Sequence, residues 1–164
     1  MRTVVGVMGG ASAGTSALEN AHAVGRLIAE SGWVLLTGGR DSGVMAEASR
    51  GAAEAGGLVI GVLPGDDTDG VAPHVDVAIP TGMGDARNAI NVLASHVVIA
   101  LPGGAGTVSE IALALKSGRP VVLLDFPLGA PFAPYYASGR IVDATTPADA
   151  VAMAASFLDE KDMA

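Results

Sequence analysis

The stretch VVIALPGGAGTVSE, residues 97–110, decides the fold. Val97 to Leu101 form an unbroken apolar run, which gives way to Pro102 and the glycines Gly103, Gly104 and Gly106 before the chain resumes with Thr107 and Glu110. An apolar run that does not alternate reads as a strand buried on both faces, the mark of a parallel sheet. A glycine turn that passes from such a strand into a helix opens a βαβ unit. The three glycines reduce the turn almost to bare main chain, as a close approach by another backbone or by a ligand requires. Thr107 and Glu110 also fit a T-x-x-E capping box. A cap contributes only about 1 kcal/mol and has no use for the bare turn before it.

The same alternation extends in both directions. Strands are predicted at Val4–Met8, Trp33–Gly39, Leu58–Leu63, Val75–Ile79, Val97–Leu101 and Val121–Asp125, with a short run at Ile141. Between them the pattern predicts helices: from the first turn to about Ser31, Val44–Ala55, Asp85–Ser95, Thr107–Lys116, and Pro147 to about Leu158. Ile90, Leu93 and Ala94 would form the apolar side of the third. Such an order implies a three-layer α/β fold, doubly wound around a mainly parallel, Rossmann-like sheet, as a single domain over residues 1–164. The acidic loop PGDDTDGVAP (64–73) and the Pro-rich loop through Tyr136 are the candidate lids.

In open α/β sheets ligands gather at the carboxyl ends of strands, near the switch in strand order. Four special turns fall at such ends: residues 9–14, 38–43, 82–84 and 102–106. They nominate Gly9, Gly10 and Ser12, then Gly38, Gly39 and Gly43, then Met83, and finally Pro102, Gly103, Gly104, Gly106 and Thr107 as ligand-binding positions.

Composition removes other classes. The net charge is −8 and the only lysines are Lys116 and Lys161, so the chain carries no electrostatic footprint for nucleic acid. An anion would have to be held locally, by main-chain N–H groups and single arginines. There is no cysteine, which excludes disulfides and thiolate metal sites and permits a reducing cytoplasm; no metal site is expected. MRTVVGVMGG runs directly into a strand pattern, without the features of a secretory leader. The longest uncharged stretch, Asn88–Ser109, is interrupted by proline and glycines and does not read as a membrane span. A cytoplasmic location, without membrane contact, is the expectation.

The first turn, GGASAGTS (9–16), approaches two nucleotide signatures and matches neither. A P-loop requires lysine after its last glycine, and Gly14 is followed by Thr15. A dinucleotide fingerprint requires glycine where Ala11 stands, with an acid closing the second strand. The turn is either a tight connection capped by Ser16 and Glu19 or a backbone contact to a ligand. In TGGRDSGVM (37–45) a glycine exit meets a helix start whose free N–H groups suit an anionic oxygen; Arg40 is mid-loop. Arg87, in GMGDARNAI (82–90), falls in the first turn of a helix, the wrong end for a cation. It needs an anionic partner, either Asp85 or a ligand phosphate or carboxylate gripped by two parallel hydrogen bonds.

PGGAGTVSE resembles the P-G-G-x-G-T-x-x-E signature of the LOG (lonely guy) family, also labelled lysine decarboxylase-like. GGRDSGVMAEASRGAAEAGGLVIGVLP (38–64) is similar to the family's glycine turn, helix and next strand, and Arg87 falls where the family has the arginine of its M-x-x-R-K segment. The likeness runs from the first strand to about Asp125. It implies a phosphoribohydrolase that releases base and ribose 5-phosphate from a nucleoside 5′-monophosphate. Gly103, Gly104, Gly106 and Thr107 would cradle the phosphate, and Arg87 and Glu110 would be the catalytic pair. In an oxocarbenium-like cleavage a carboxylate stabilises the sugar or orients water while arginine fixes the substrate. No acid for the departing base is identified; His74, just after the acidic loop, is either a simply exposed histidine or an imidazole that donates a proton.

One position departs from that pattern: Asn88 replaces the lysine after Arg87. GMGDARNAINVLASHVVIALPGGAGT looks closer to a sister branch that includes molybdenum-cofactor carrier proteins, which hold a pterin phosphate without turnover. Asn88 is then a ligand-binding residue and the molybdenum cofactor a cargo, with no cofactor required by the protein itself. The partner is in either case a small phosphorylated molecule. Family members are commonly dimers or larger, which implies a homodimer or homotetramer packed through helices 83–95 and 106–117. Pyridoxal-dependent decarboxylation needs a Schiff-base lysine; Lys116, near a helix end, and Lys161, in the tail, are both remote from the glycine turns, so that activity is rejected.

Overall fold

A computed structural model describes residues 1–162; residues 163–164 of the expected domain lie outside the described residues. Seven strands form one parallel sheet: β1 (Val4–Met8), β2 (Val34–Thr37), β3 (Val59–Leu63), β4 (Val77–Pro80), β5 (Val97–Ala100), β6 (Val121–Leu124) and β7 (Ile141–Ala144). Their order is β4-β3-β2-β1-β5-β6-β7. The chain winds outward from β1 to β4, then returns to β5 on the other side of β1. The switch in strand order therefore lies between β1 and β5, paired in register Val5↔Val97 to Met8↔Ala100.

Six α-helices cover the sheet: α1 (Thr15–Glu30), α2 (Gly43–Glu54), α3 (Asn88–Ala94), α4 (Ala105–Lys116), α5 (Ala133–Ala137) and α6 (Pro147–Asp162). The first, second and sixth pack on one face over Val5, Val7, Leu35, Val97 and Ile99. The third and fourth pack on the other over Met8, Leu36, Val98 and Ala100. Alternate residues of the inner strands thus enter opposite cores, which is why those strands read as unbroken apolar runs. Burying each such Val, Leu, Ile or Met side chain contributes about 1.5–3 kcal/mol. In α1 and α2 a β-carbon on Gly25 would overlap the carbonyl of Ala48, and one on Gly51 the carbonyl of His22. These two glycines let the helix backbones touch.

Three expectations are corrected. First, neither capping box forms: α1 is capped at Gly14 and α4 at Gly104, without side-chain caps. The bare turn lets α4 begin two residues early, which puts Thr107 inside the first turn. Second, Asp85–Ser95 is a 3-10 turn (Gly84–Arg87) followed by α3, and its buried residues are Asn88, Asn91 and Val92; Leu93 is 57% exposed. The asparagines turn inward because their amides bond to α4. Third, the Pro-rich loop folds into a 3-10 turn (Ala130–Phe132) and α5, with prolines early in each helical turn, where their missing N–H costs nothing. Among the described residues no helix is long and apolar enough to cross a membrane.

Candidate functional site

Three turns meet at the switch point. Leu101 donates to the carbonyl of Met8 (2.9 Å), Gly10 to that of Pro102 (3.0 Å), and Val44 to that of Gly10 (3.1 Å). The exits of β1 and β5 and the start of α2 are thereby tied together. Beside them lies a cavity of about 180 Å³ lined by Gly9, Gly10, Gly38, Asp85, Arg87, Asn88, Gly104, Gly106, Thr107 and Glu110, with Val7, Met8, Ala11 and Met45.

The wall made by α4 offers hydrogen-bond donors. Gly104 accepts the first helical bond, from Val108 (3.1 Å), and no side chain caps the helix. The N–H groups of Ala105, Gly106 and Thr107 are therefore without partners among the described residues. A β-carbon on Gly104 or Gly106 would meet nothing within 4 Å, so both face open space. Free N–H groups at the positive end of a helix form an anion site.

Arg87 closes the 3-10 turn and stands at the N-cap of α3, and it forms no ion pair with Asp85 within 4 Å. Its Nη1 donates instead to the carbonyl of Val62 (2.7 Å). The guanidinium crosses above Gly38, where any β-carbon would strike it. Burial lowers the Arg87 pKa from its ordinary value, against the opposing charge of Glu110; an arginine this basic remains a cation.

Glu110 is 7% exposed. The Nδ2 of Asn91 donates to its Oε1 at 2.7 Å, and Asn91 is fully buried with its own Oδ1 unpartnered. Burial raises the Glu110 pKa above the usual carboxylate range, while the Asn91 bond and the Arg87 charge pull it back. Asn88, 8% exposed, donates from Nδ2 to Ser109 Oγ (2.9 Å) and more distantly to the carbonyl of Gly106 (3.5 Å). Two asparagines, one helical turn apart on α3, thus give their amides to α4.

Of the sequence-nominated residues, the cavity brings together Gly9, Gly10, Gly38, Arg87, Asn88, Gly104, Gly106, Thr107 and Glu110. The others serve the frame or stand apart. Gly103 packs against Thr107 and Gly10; Gly39 (φ +74°) packs against Gly61; Gly43 (φ +55°) packs against the Gly10 carbonyl. Pro102 supplies the carbonyl that receives Gly10, Ser12 is exposed, and Met83 is 49% exposed. His74 is not on the cavity wall. The acidic loop is pinned to the 38–43 turn, by Asp41 donating to Gly70 (3.0 Å) and Ala72 to Gly39 (2.8 Å). Lys116 ends α4, roughly 16 Å along the helix from its first residue.

Sequence reasoning missed Asn91 and Met45 and treated Asp85 only as an ion-pair partner. Asn91 carries no local signal: it sits in an apolar stretch, and only the packing of α3 on α4 brings it to Glu110.

The model of the SLOG cluster4 family matches residues 2–153. The molybdenum cofactor binding protein of the phototrophic bacterium Rippkaea orientalis is 47% identical, with a TM-score of 0.90 over 96% of this chain and 98% of its own. The molybdenum cofactor carrier protein of Chlamydomonas reinhardtii is 44% identical, with a TM-score of 0.89 over 97% and 99%. A cytokinin riboside 5′-monophosphate phosphoribohydrolase of Mycobacterium tuberculosis is 34% identical over 116 residues, 66% of this chain and 62% of that enzyme. Its turns, its cavity and its near-complete match to the family model have one reading: the chain belongs to the SLOG cluster4 family, a LOG-like group.

Proposed function

We propose that this protein binds a phosphorylated pterin of the molybdenum-cofactor type and carries it without turnover. The observation that carries the reading is the row of partnerless N–H groups at 105–107 opening on the switch-point cavity beside Arg87. The near full-length likeness to carrier proteins favours the pterin over other phosphate esters. Such a guest fits the donor set: the α4 amides take its phosphate oxygens and Arg87 adds charge. With no cysteine in the chain to bind the metal, the grip falls on phosphate and ring. Protein purified from cells that make the cofactor should release about one pterin per chain on denaturation, identified by mass spectrometry. Protein that emerges empty and binds no added pterin phosphate would overturn the reading.

The second reading is a nucleoside 5′-monophosphate phosphoribohydrolase, favoured by Arg87 and Glu110 lining the same cavity. With the phosphate on α4, the Glu110 carboxylate would stabilise the cationic sugar or orient water, and Arg87 would fix the substrate. Free base released from a panel of monophosphates, and lost in Glu110→Ala, is its expected result; no release removes it. A homodimer or homotetramer belongs to this proposal too. Met83 and Leu93 are large exposed apolar side chains on the segment leading into and forming α3, and light scattering that gives a monomer would exclude that assembly.

A further inference from the structure

The hydrogen bonds of Asn88 fix which of its atoms faces the cavity. The Ser109 hydroxyl spends its one proton on the Gly106 carbonyl (2.7 Å). Its Oγ therefore meets Asn88 as an acceptor, which only the Asn88 NH₂ can satisfy at 2.9 Å. Turned over, the amide would set its oxygen against the Gly106 carbonyl, acceptor against acceptor. Both available donors thus point into α4. The remaining atom, Oδ1, accepts no hydrogen bond among the described residues and is not among the buried unpartnered atoms, on a residue that lines the cavity.

This gives the cavity two chemically distinct sides. Gly104 to Thr107 and Arg87 present donors, while Glu110, Asp85 and the Asn88 oxygen present acceptors. An inorganic phosphate satisfies only the first side. A lysine at 88 would have extended it; asparagine extends the second.

We propose that Asn88 reads hydroxyl or N–H donors on the skeleton of the guest, not its phosphate, so that the ligand class is a phosphate monoester bearing such donors close to the phosphate. The inference rests on the phosphate site proposed above and deepens it.

The test uses the full chain and three probes followed by NMR titration: inorganic phosphate, ribose 5-phosphate, and pentyl phosphate, which lacks the hydroxyls. The wild-type protein should prefer ribose 5-phosphate to pentyl phosphate. Asn88→Leu should cut that preference by about tenfold, the size of one hydrogen bond, with inorganic phosphate reporting any separate loss at the α4 amides. Asn88→Ala, which removes the same oxygen without filling the cavity, should cut the preference likewise and covers the case in which the leucine variant fails to fold. Asn88→Lys should tighten all three probes and erase the preference. If Asn88→Leu or Asn88→Ala leaves the preference unchanged, whether or not it weakens the three probes together, the proposal is wrong while the phosphate site stands. If no probe binds the wild-type protein, the phosphate site fails and this inference fails with it.

Discussion

Burial makes the charge of Glu110 costly to the fold, and its environment makes that cost measurable. Burial raises its folded pKa above the unfolded value of about 4.3. A carboxyl shifted upward is most stabilising while neutral. The stability it contributes is present below the unfolded pKa and is lost as pH rises through the raised folded pKa. Glu110→Gln removes that loss and keeps an acceptor for the Asn91 amide. The melting temperature of the glutamine variant should therefore gain on that of the wild type as pH rises from 4 to 8. Each kcal/mol corresponds to roughly 2–4 °C in a chain of this size. Comparing the two proteins at each pH cancels the titration of the other carboxylates. A gap that stays constant across the series would mean that Glu110 titrates normally. Asn91 completes the account: a buried oxygen with no partner costs about 1–3 kcal/mol, a cost better explained by orienting Glu110 than by holding α3 in place.

At the scale of the elements, the turn into α4 separates two kinds of glycine. Gly103 is required by the protein itself, since a β-carbon there would press on Thr107 and come within 2.8 Å of the Gly10 nitrogen. Gly104 and Gly106 have no such neighbour. Gly106 also sits inside the helix, where alanine is favoured by up to about 1 kcal/mol. Gly106→Ala should thus raise the melting temperature and weaken binding of a phosphate ester about tenfold or more, because its methyl occupies the space left for the guest. Gly103→Ala should lower both. If Gly106→Ala binds normally, the open space beside α4 is not the phosphate site. The contrast also marks what the sequence could disclose. Strands such as Val97–Ala100 were legible because burial on both faces leaves unbroken apolar runs. The glycine turns were legible because few constraints other than close approach produce them. Which glycine faces protein and which faces the guest was not, since that depends on how the β1, β2 and β5 exits interlock. The early start of α4 and the inward face of α3 were hidden for a related reason: cap motifs and apolar periodicity compete with tertiary hydrogen bonds, and here the bonds of Asn88 and Asn91 prevail.

For the molecule as a whole, the candidate site is a small patch of main-chain donors and one arginine on an acidic body. Nine lysines and arginines face seventeen aspartates and glutamates, a net charge of −8. Arg87, the cavity's own cation, is partly buried under the rim, and Asp85 shares the wall. An approaching phosphate ester meets a repulsive field at long range and an attractive one only on arrival. Salt acts on these two unequally, because it screens exposed charges well and buried ones poorly. Between 0.01 and 0.1 M ionic strength the screening length falls from about 30 to about 10 Å, which removes much of the repulsion and leaves the amide contacts intact. The association rate of a fluorescent phosphate monoester should then increase roughly threefold over that range, with little change in its dissociation rate, as read by stopped-flow. A protein built to draw anions from a distance behaves in the opposite way, slowing as salt is added. Slowing here would mean that the field at the cavity mouth is positive, and that positive charge at the mouth, not the α4 amides, dominates capture of the guest.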